Sequence, residues 1–133
     1  MSAPLQGKSL RSPLGRARGL GSAKEGTAHW WAQRVTAVAL VPLTLWFVAN
    51  VIALAGAPRI DVLAWLASPV AAVLMLLLVA AVFRHAQLGL QVVVEDYVHA
   101  EGAKVAALMF VNGASLLLGA LAAFSILKLA FGG

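Results

Sequence analysis

The residues of this chain that could do chemistry gather in one stretch: Arg84-His85-Ala86-Gln87-Leu88-Gly89-Leu90-Gln91-Val92-Val93-Val94-Glu95-Asp96-Tyr97-Val98-His99. It begins inside a long apolar segment and ends in a short polar loop. An ionisable group at membrane depth costs a few kcal/mol, so Arg84 and His85 are functional candidates by position alone. At ~100° per residue, Leu78, Ala81, His85, Gly89, Val92 and Asp96 share one helical stripe. Alanine one turn before His85 and glycine one turn after it leave flat space on both sides of the imidazole. Such a space suits a large planar ligand, a haem macrocycle being one. The same small residues equally suit a buried histidine bonded to a neighbouring helix, with Ala81 and Gly89 permitting close approach. Both readings of His85 stay open at this point.

Composition sets the class of molecule that positions these groups. Of 133 residues 62% are hydrophobic and only 11% charged, and the mean hydropathy is +0.90. A chain of this size and polarity reads as an all-α integral membrane protein. It has no cysteine, which removes disulfides, iron–sulfur ligands and thiol nucleophiles from consideration. A redox centre here must be held by histidine or borrowed from another chain. Nothing in the pattern asks for nucleic acid.

Residues 1–28 read as a polar basic arm carrying Lys8, Arg11, Arg16, Arg18 and Lys24. The arm lacks the apolar core of a secretory signal. Its arginines and serines also fit an organellar transit peptide, the minor alternative. An arm of this composition is expected to lie on lipid headgroups or on a partner protein. Residues 29–133 read as the membrane domain. Its approach segment, His29-Trp30-Trp31-Ala32-Gln33-Arg34-Val35-Thr36, has the tryptophans and cation of an interfacial belt. Spans are predicted at about residues 35–55, 70–94 and 105–131, each about 20 residues or more and so long enough for a ~30 Å hydrocarbon core. Pro42 is expected to kink the first. A short interfacial helix is expected over residues 61–67. Ser115, Gly119 and Ala123 form a small-residue face on the third span, where Lys128 can snorkel outward.

Three spans put the termini on opposite sides. Of the ten Lys and Arg residues, six lie in the arm and at Arg34, and Lys104 joins them on the same side, making seven. Arg59 and Lys128 lie on the other side and Arg84 is inside a span. The positive-inside rule therefore predicts a cytoplasmic N-terminus, with Asp96, Tyr97 and His99 also cytoplasmic. His85 then sits about nine residues deeper than that boundary, or ~14 Å. His29 and His99 lie near the boundary, far from His85 in depth, so a second axial ligand to any haem has to come from another protein chain. Tyr97 reads as an aromatic anchor or a functional phenol. Asp96 opposes the helix dipole at a C-terminus, which asks for a cationic partner. Arg34 reads as a headgroup anchor or an anion clamp. Gln87, Gln91, Asn50 and Asn112 are expected to bond across helices.

On His85 with Gly89, on Asp96-Tyr97-Val98-His99 closing the same helix, and on the approach pattern from His29 to Thr36, the sequence resembles the smaller hydrophobic membrane-anchor subunit of succinate dehydrogenase, respiratory complex II. The resemblance covers Gly26 to the third span. It implies a three-span anchor that completes a larger bundle with the second membrane-anchor subunit and docks the iron–sulfur and flavoprotein subunits. It further implies that His85 is one axial ligand of haem b, shared with that second anchor. Arg34 would lie near the haem propionates. Tyr97 would hydrogen-bond a carbonyl of ubiquinone, and Asp96 would belong to the same quinone site. The chain alone would then have no dehydrogenase activity. A bacterial inner membrane is the expected location, with the mitochondrial inner membrane as the alternative. Two other functions fit the residues: the anchor of a fumarate reductase, and a small transporter or channel component with Arg84, His85 and Asp96 along a polar path.

Overall fold

A computed structural model of the chain describes residues 23–132, and every regular element among them is helical. The chain divides into two units, residues 1–31 and 32–133. Helix α1 spans Ala23–Ala53, α2 Arg59–Ala67, α3 Pro69–Tyr97 and α4 Glu101–Ala130. Three stretches are long and apolar enough to cross a membrane: Gly26–Ala53, Pro69–Tyr97 and Glu101–Ala130. Hydrocarbon has no water to satisfy backbone amides, so continuous helix is the economical solution for each. Of the expected arm over residues 1–28, residues 1–22 lie outside the described residues, and residues 23–28 are helical, at the start of α1. Pro42 lies within α1, which remains helical on both sides of it.

Local signals account for the helix boundaries. After α1 the chain turns at Gly56, whose φ of 79° is left-handed backbone that a glycine takes without a Cβ penalty. The short helix expected over residues 61–67 forms as α2, beginning two residues earlier. Ser68 separates α2 from α3. Its hydroxyl donates to the Trp65 carbonyl at 2.8 Å and accepts from the Ala71 amide at 3.3 Å. It is thus the N-cap of α3, with Pro69 at the first helical position, where a missing N–H costs nothing. Residues 98–100 return the chain for α4.

Helices α3 and α4 pack antiparallel along their lengths, and α2 touches both. On α3, Ala71, Ala72, Leu78, Ala81 and Leu88 are buried, Leu88 most completely, and on α4 only Ile126 is. Phe83 of α3 lies over Gly119, where an added Cβ would meet its ring at 3.5 Å. Part of the small-residue face of α4 is therefore covered by Phe83. Ser115, Gly119 and Ala123 also line an open groove of about 590 Å³ between the two helices. Helix α1 meets the others through side chains: Trp46 stacks on Trp65 of α2, ring centroids 5.7 Å apart, and Thr36 reaches α3. Much of the apolar surface remains outward, including Val38, Leu45, Ile52, Phe110, Leu116 and Phe124. Lipid or partner helices are the surroundings such a surface requires.

Candidate functional site at His85

His85 projects from α3 toward α1, and its ring is half-buried. Its Nδ1 lies 3.0 Å from the hydroxyl of Thr36. No hydrogen bond to its Nε2 occurs among the described residues, and that atom is not among the enclosed polar atoms without a partner. The two readings of His85 are thus compatible: one ring nitrogen is bonded to a neighbouring helix while the other is free. One turn along α3, Gly89 faces nearly open space. Among the described residues, an added Cβ would meet only the Gln33 side-chain nitrogen, at 3.9 Å. The side-chain amide oxygen of Gln33, Oε1, is buried with no hydrogen-bond partner. A free imidazole nitrogen, a bare glycine and an orphan acceptor therefore lie together between α1 and α3.

Arg84 belongs to a different face. Its guanidinium donates to Gln87 Oε1 at 3.1 Å, and Gln87 Nε2 donates to Asn112 Oδ1 of α4 at 2.7 Å. Arg84, Gln87 and Asn112 all line the α3–α4 groove. The expected cross-helix bonds of Gln87 and Asn112 are thus one bond, made to each other. Gln91 and Asn50 behave differently from expectation. Gln91 donates to Glu95 of its own helix at 3.0 Å, and Asn50 to the Trp46 carbonyl of its own at 2.8 Å. Both find an acceptor four residues away, which costs less ordering than a partner on another helix.

At the end of α3, Asp96 and Tyr97 are exposed, Tyr97 by 77%. Lys104, in the first turn of α4, pairs with Glu101 at 3.7 Å and not with Asp96. His99 is exposed in the following loop and Arg34 is exposed on α1. Eleven residues separate His85 from Asp96, which puts the helix end ~17 Å away along the axis. The structure therefore brings His85, Thr36, Gln33 and Gly89 together, while Asp96 and Tyr97 form a separate outward-facing pair. No group of three His, Cys, Asp or Glu side chains that could hold a metal occurs among the described residues.

A family described as succinate dehydrogenase/fumarate reductase transmembrane subunit matches residues 8–126. The chain belongs to this family. Among its relatives, the succinate dehydrogenase hydrophobic membrane anchor subunit of Rickettsia bellii is 37% identical over 67% of this chain and 71% of its own length. That of Paracoccus denitrificans is also 37% identical, over 74% of this chain and 76% of its own. The corresponding protein of Rickettsia conorii is 33% identical over 67% and 71%. No solved structure matches. The three long apolar helices expected from the sequence thus stand in a chain that belongs to a family of transmembrane subunits. Spacing singles out His85 and Gly89 but not Thr36 or Gln33 as site residues. The signal for those two lies in the approach pattern, where Gln33 and Thr36 are polar groups three residues apart next to Arg34.

Proposed function

We propose that this chain is the hydrophobic membrane-anchor subunit of a succinate:ubiquinone oxidoreductase, residing multi-pass in a bacterial inner membrane. One observation carries the reading: within a chain of this family, His85 has its Nδ1 engaged and its Nε2 free beside an open glycine. Residues 29–133 are the anchor domain and residues 1–28 an arm on the cytoplasmic side, where lipid headgroups and the iron–sulfur and flavoprotein subunits lie. Succinate is oxidised in those partner subunits, and electrons reach ubiquinone at the anchor.

The residues present fit a haem b shared with the second membrane-anchor subunit. His85 supplies one imidazole nitrogen, Gly89 leaves room over the ring, and Gln33 has an unsatisfied acceptor in the same space. A second ligand would have to come from the other anchor, because the sequence sets His29 and His99 near the membrane boundary and not at the depth of His85. A bound haem there stores and returns one electron. Arg34, exposed on α1 next to Gln33 in sequence, would meet an anionic group such as a propionate. At the helix end, Tyr97 is exposed, and its hydroxyl donates to a quinone carbonyl oxygen as negative charge builds on it. Asp96 lies next to it with no ion-pair partner of its own among the described residues. There it meets a cation of a partner protein or passes a proton toward the reduced quinone. The anchor's own part is to bind, orient and supply hydrogen bonds.

Arg84 and His85 lie on different faces of α3, one in the α3–α4 groove and one toward α1. That arrangement favours a redox anchor over a transporter with one polar path. The test is Tyr97→Phe in the assembled complex. The ring keeps its place at the interface while its hydroxyl is lost, so succinate–quinone turnover falls, by up to ~10²–10³ if Tyr97 is the dominant donor. Dye reduction from the iron–sulfur subunit stays at the wild-type rate. Wild-type quinone turnover in this variant takes Tyr97 out of the site.

A further inference from the structure

The hydroxyl of Thr36 has one hydrogen, and its surroundings fix where that hydrogen points. Oγ1 lies 2.7 Å from the Ala32 carbonyl oxygen and 3.1 Å from that of Gln33. Carbonyl oxygens only accept, so the hydrogen must lie in the fork between them; two bare oxygens at 2.7 Å would repel. The third neighbour is His85 Nδ1 at 3.0 Å. Toward that nitrogen Thr36 has only a lone pair to offer. The hydrogen of the contact therefore belongs to the histidine: Nδ1–H donates to Thr36, and the lone pair of the neutral imidazole is on Nε2. A tautomer is inferred from its network in this way, since the bond made by one ring nitrogen sets the state of the other.

We propose that Thr36 is the positioning residue of the His85 site, holding the imidazole as the Nε2 lone-pair tautomer with its ring plane fixed for a metal. The inference rests on the haem reading above and adds to it a residue that never touches the iron. Its physical basis is general. A histidine that ligates a metal through one nitrogen is oriented and made more basic by the acceptor its other N–H finds, and loss of that acceptor typically costs about 10- to 100-fold in metal affinity. A threonine bonded to its own helix is a rigid acceptor, because the fork at Ala32 and Gln33 already sets its rotamer. Helix α1 thus contributes to the site by aiming the ligand that α3 carries.

Thr36→Val keeps shape and branching and removes the acceptor, Thr36→Ala removes it with less bulk, and Thr36→Ser retains it. Each is made in the full complex and read by redox titration of the haem absorption band, by low-temperature electron paramagnetic resonance, and by the rate of haem loss to an apoprotein acceptor. With the acceptor gone, the imidazole is a weaker donor to ferric iron. The midpoint potential then shifts upward in Thr36→Val and Thr36→Ala, and haem affinity falls ~10- to 100-fold. Thr36→Ser stays at the wild-type values. A Thr36→Val complex identical to wild type in potential, spectrum and haem retention overturns the proposal. So does a Thr36→Ser complex shifted as far as Thr36→Val, since that would make the methyl group the working part. His85→Leu separates the two levels. A low-spin signal that survives it overturns the haem reading and Thr36 with it. A signal that disappears there but ignores Thr36→Val overturns Thr36 alone.

Discussion

Gly89 separates a ligand cradle from mere helix packing, because the two make opposite predictions for one added methyl group. A Cβ at this position would have a single neighbour, the Gln33 side-chain nitrogen at 3.9 Å, which is ordinary contact. Among the described residues, then, nothing requires a glycine. Gly89 has no left-handed backbone either; positive φ among the described residues occurs at Gly56 and Gly132. Gly89→Ala should therefore stabilise α3 by up to ~1 kcal/mol through helix propensity. If a planar ligand fills the space over His85, the same methyl group overpacks it at a cost of ~1–3 kcal/mol. At about 1.4 kcal/mol per decade that is a ~5- to ~150-fold weaker hold on haem. Gly89→Leu, projecting further into the same space, should lose haem outright. The assay pairs the rate of haem transfer to an apoprotein acceptor with thermal unfolding of the complex in detergent. A Gly89→Leu complex with full haem, or one that loses its partner subunits while haem stays bound, would refute the cradle.

Three further outcomes follow from the packing and the polar contacts. Leu88, at 1% exposure the most buried side chain described, should cost ~2–5 kcal/mol as Leu88→Ala, seen as a lower melting temperature in detergent; a melt unchanged within error would mean the site collapses around the loss. The Gln87–Asn112 bond at 2.7 Å should show a coupling of about 0.6 kcal/mol, the usual value between membrane helices, in a double-mutant cycle with Gln87→Leu and Asn112→Leu. Arg84→Leu should favour insertion of α3 by about 3 kcal/mol in a translocon-mediated insertion assay. Equal insertion of both versions would place Arg84 outside the hydrocarbon.

The spans were legible because long apolar runs have few other uses in so hydrophobic a chain. Helix ends were not. Helix α3 continues past the apolar run through Glu95 and Asp96, and α4 starts at Glu101 instead of residue 105. The end of the hydrocarbon is not the end of a helix: polar residues continue the backbone ladder into the headgroup region, supported there by the Gln91–Glu95 bond. His85 stands out because an imidazole in an apolar stripe demands a reason. Thr36 does not, since a threonine at a span's start is ordinary until α1 is set beside α3. The glutamines and asparagines show the same limit. Spacing reveals that each needs a partner, but only the fold tells whether it is local, as for Gln91 and Asn50, or across helices, as for Gln87 and Asn112.

Whether this chain holds one side of a haem through His85 is decided by two spectra of membranes carrying wild-type or His85→Leu protein with its partner subunits: reduced-minus-oxidised absorption and low-temperature electron paramagnetic resonance. Leucine keeps α3 apolar and roughly fills the imidazole volume, so insertion survives and any spectral change reports on ligation. The wild type should show a low-spin b-type haem, and His85→Leu should turn it high-spin or empty the site while succinate oxidation in the partner subunits continues. An unchanged low-spin signal in His85→Leu would show that the iron takes its ligands elsewhere.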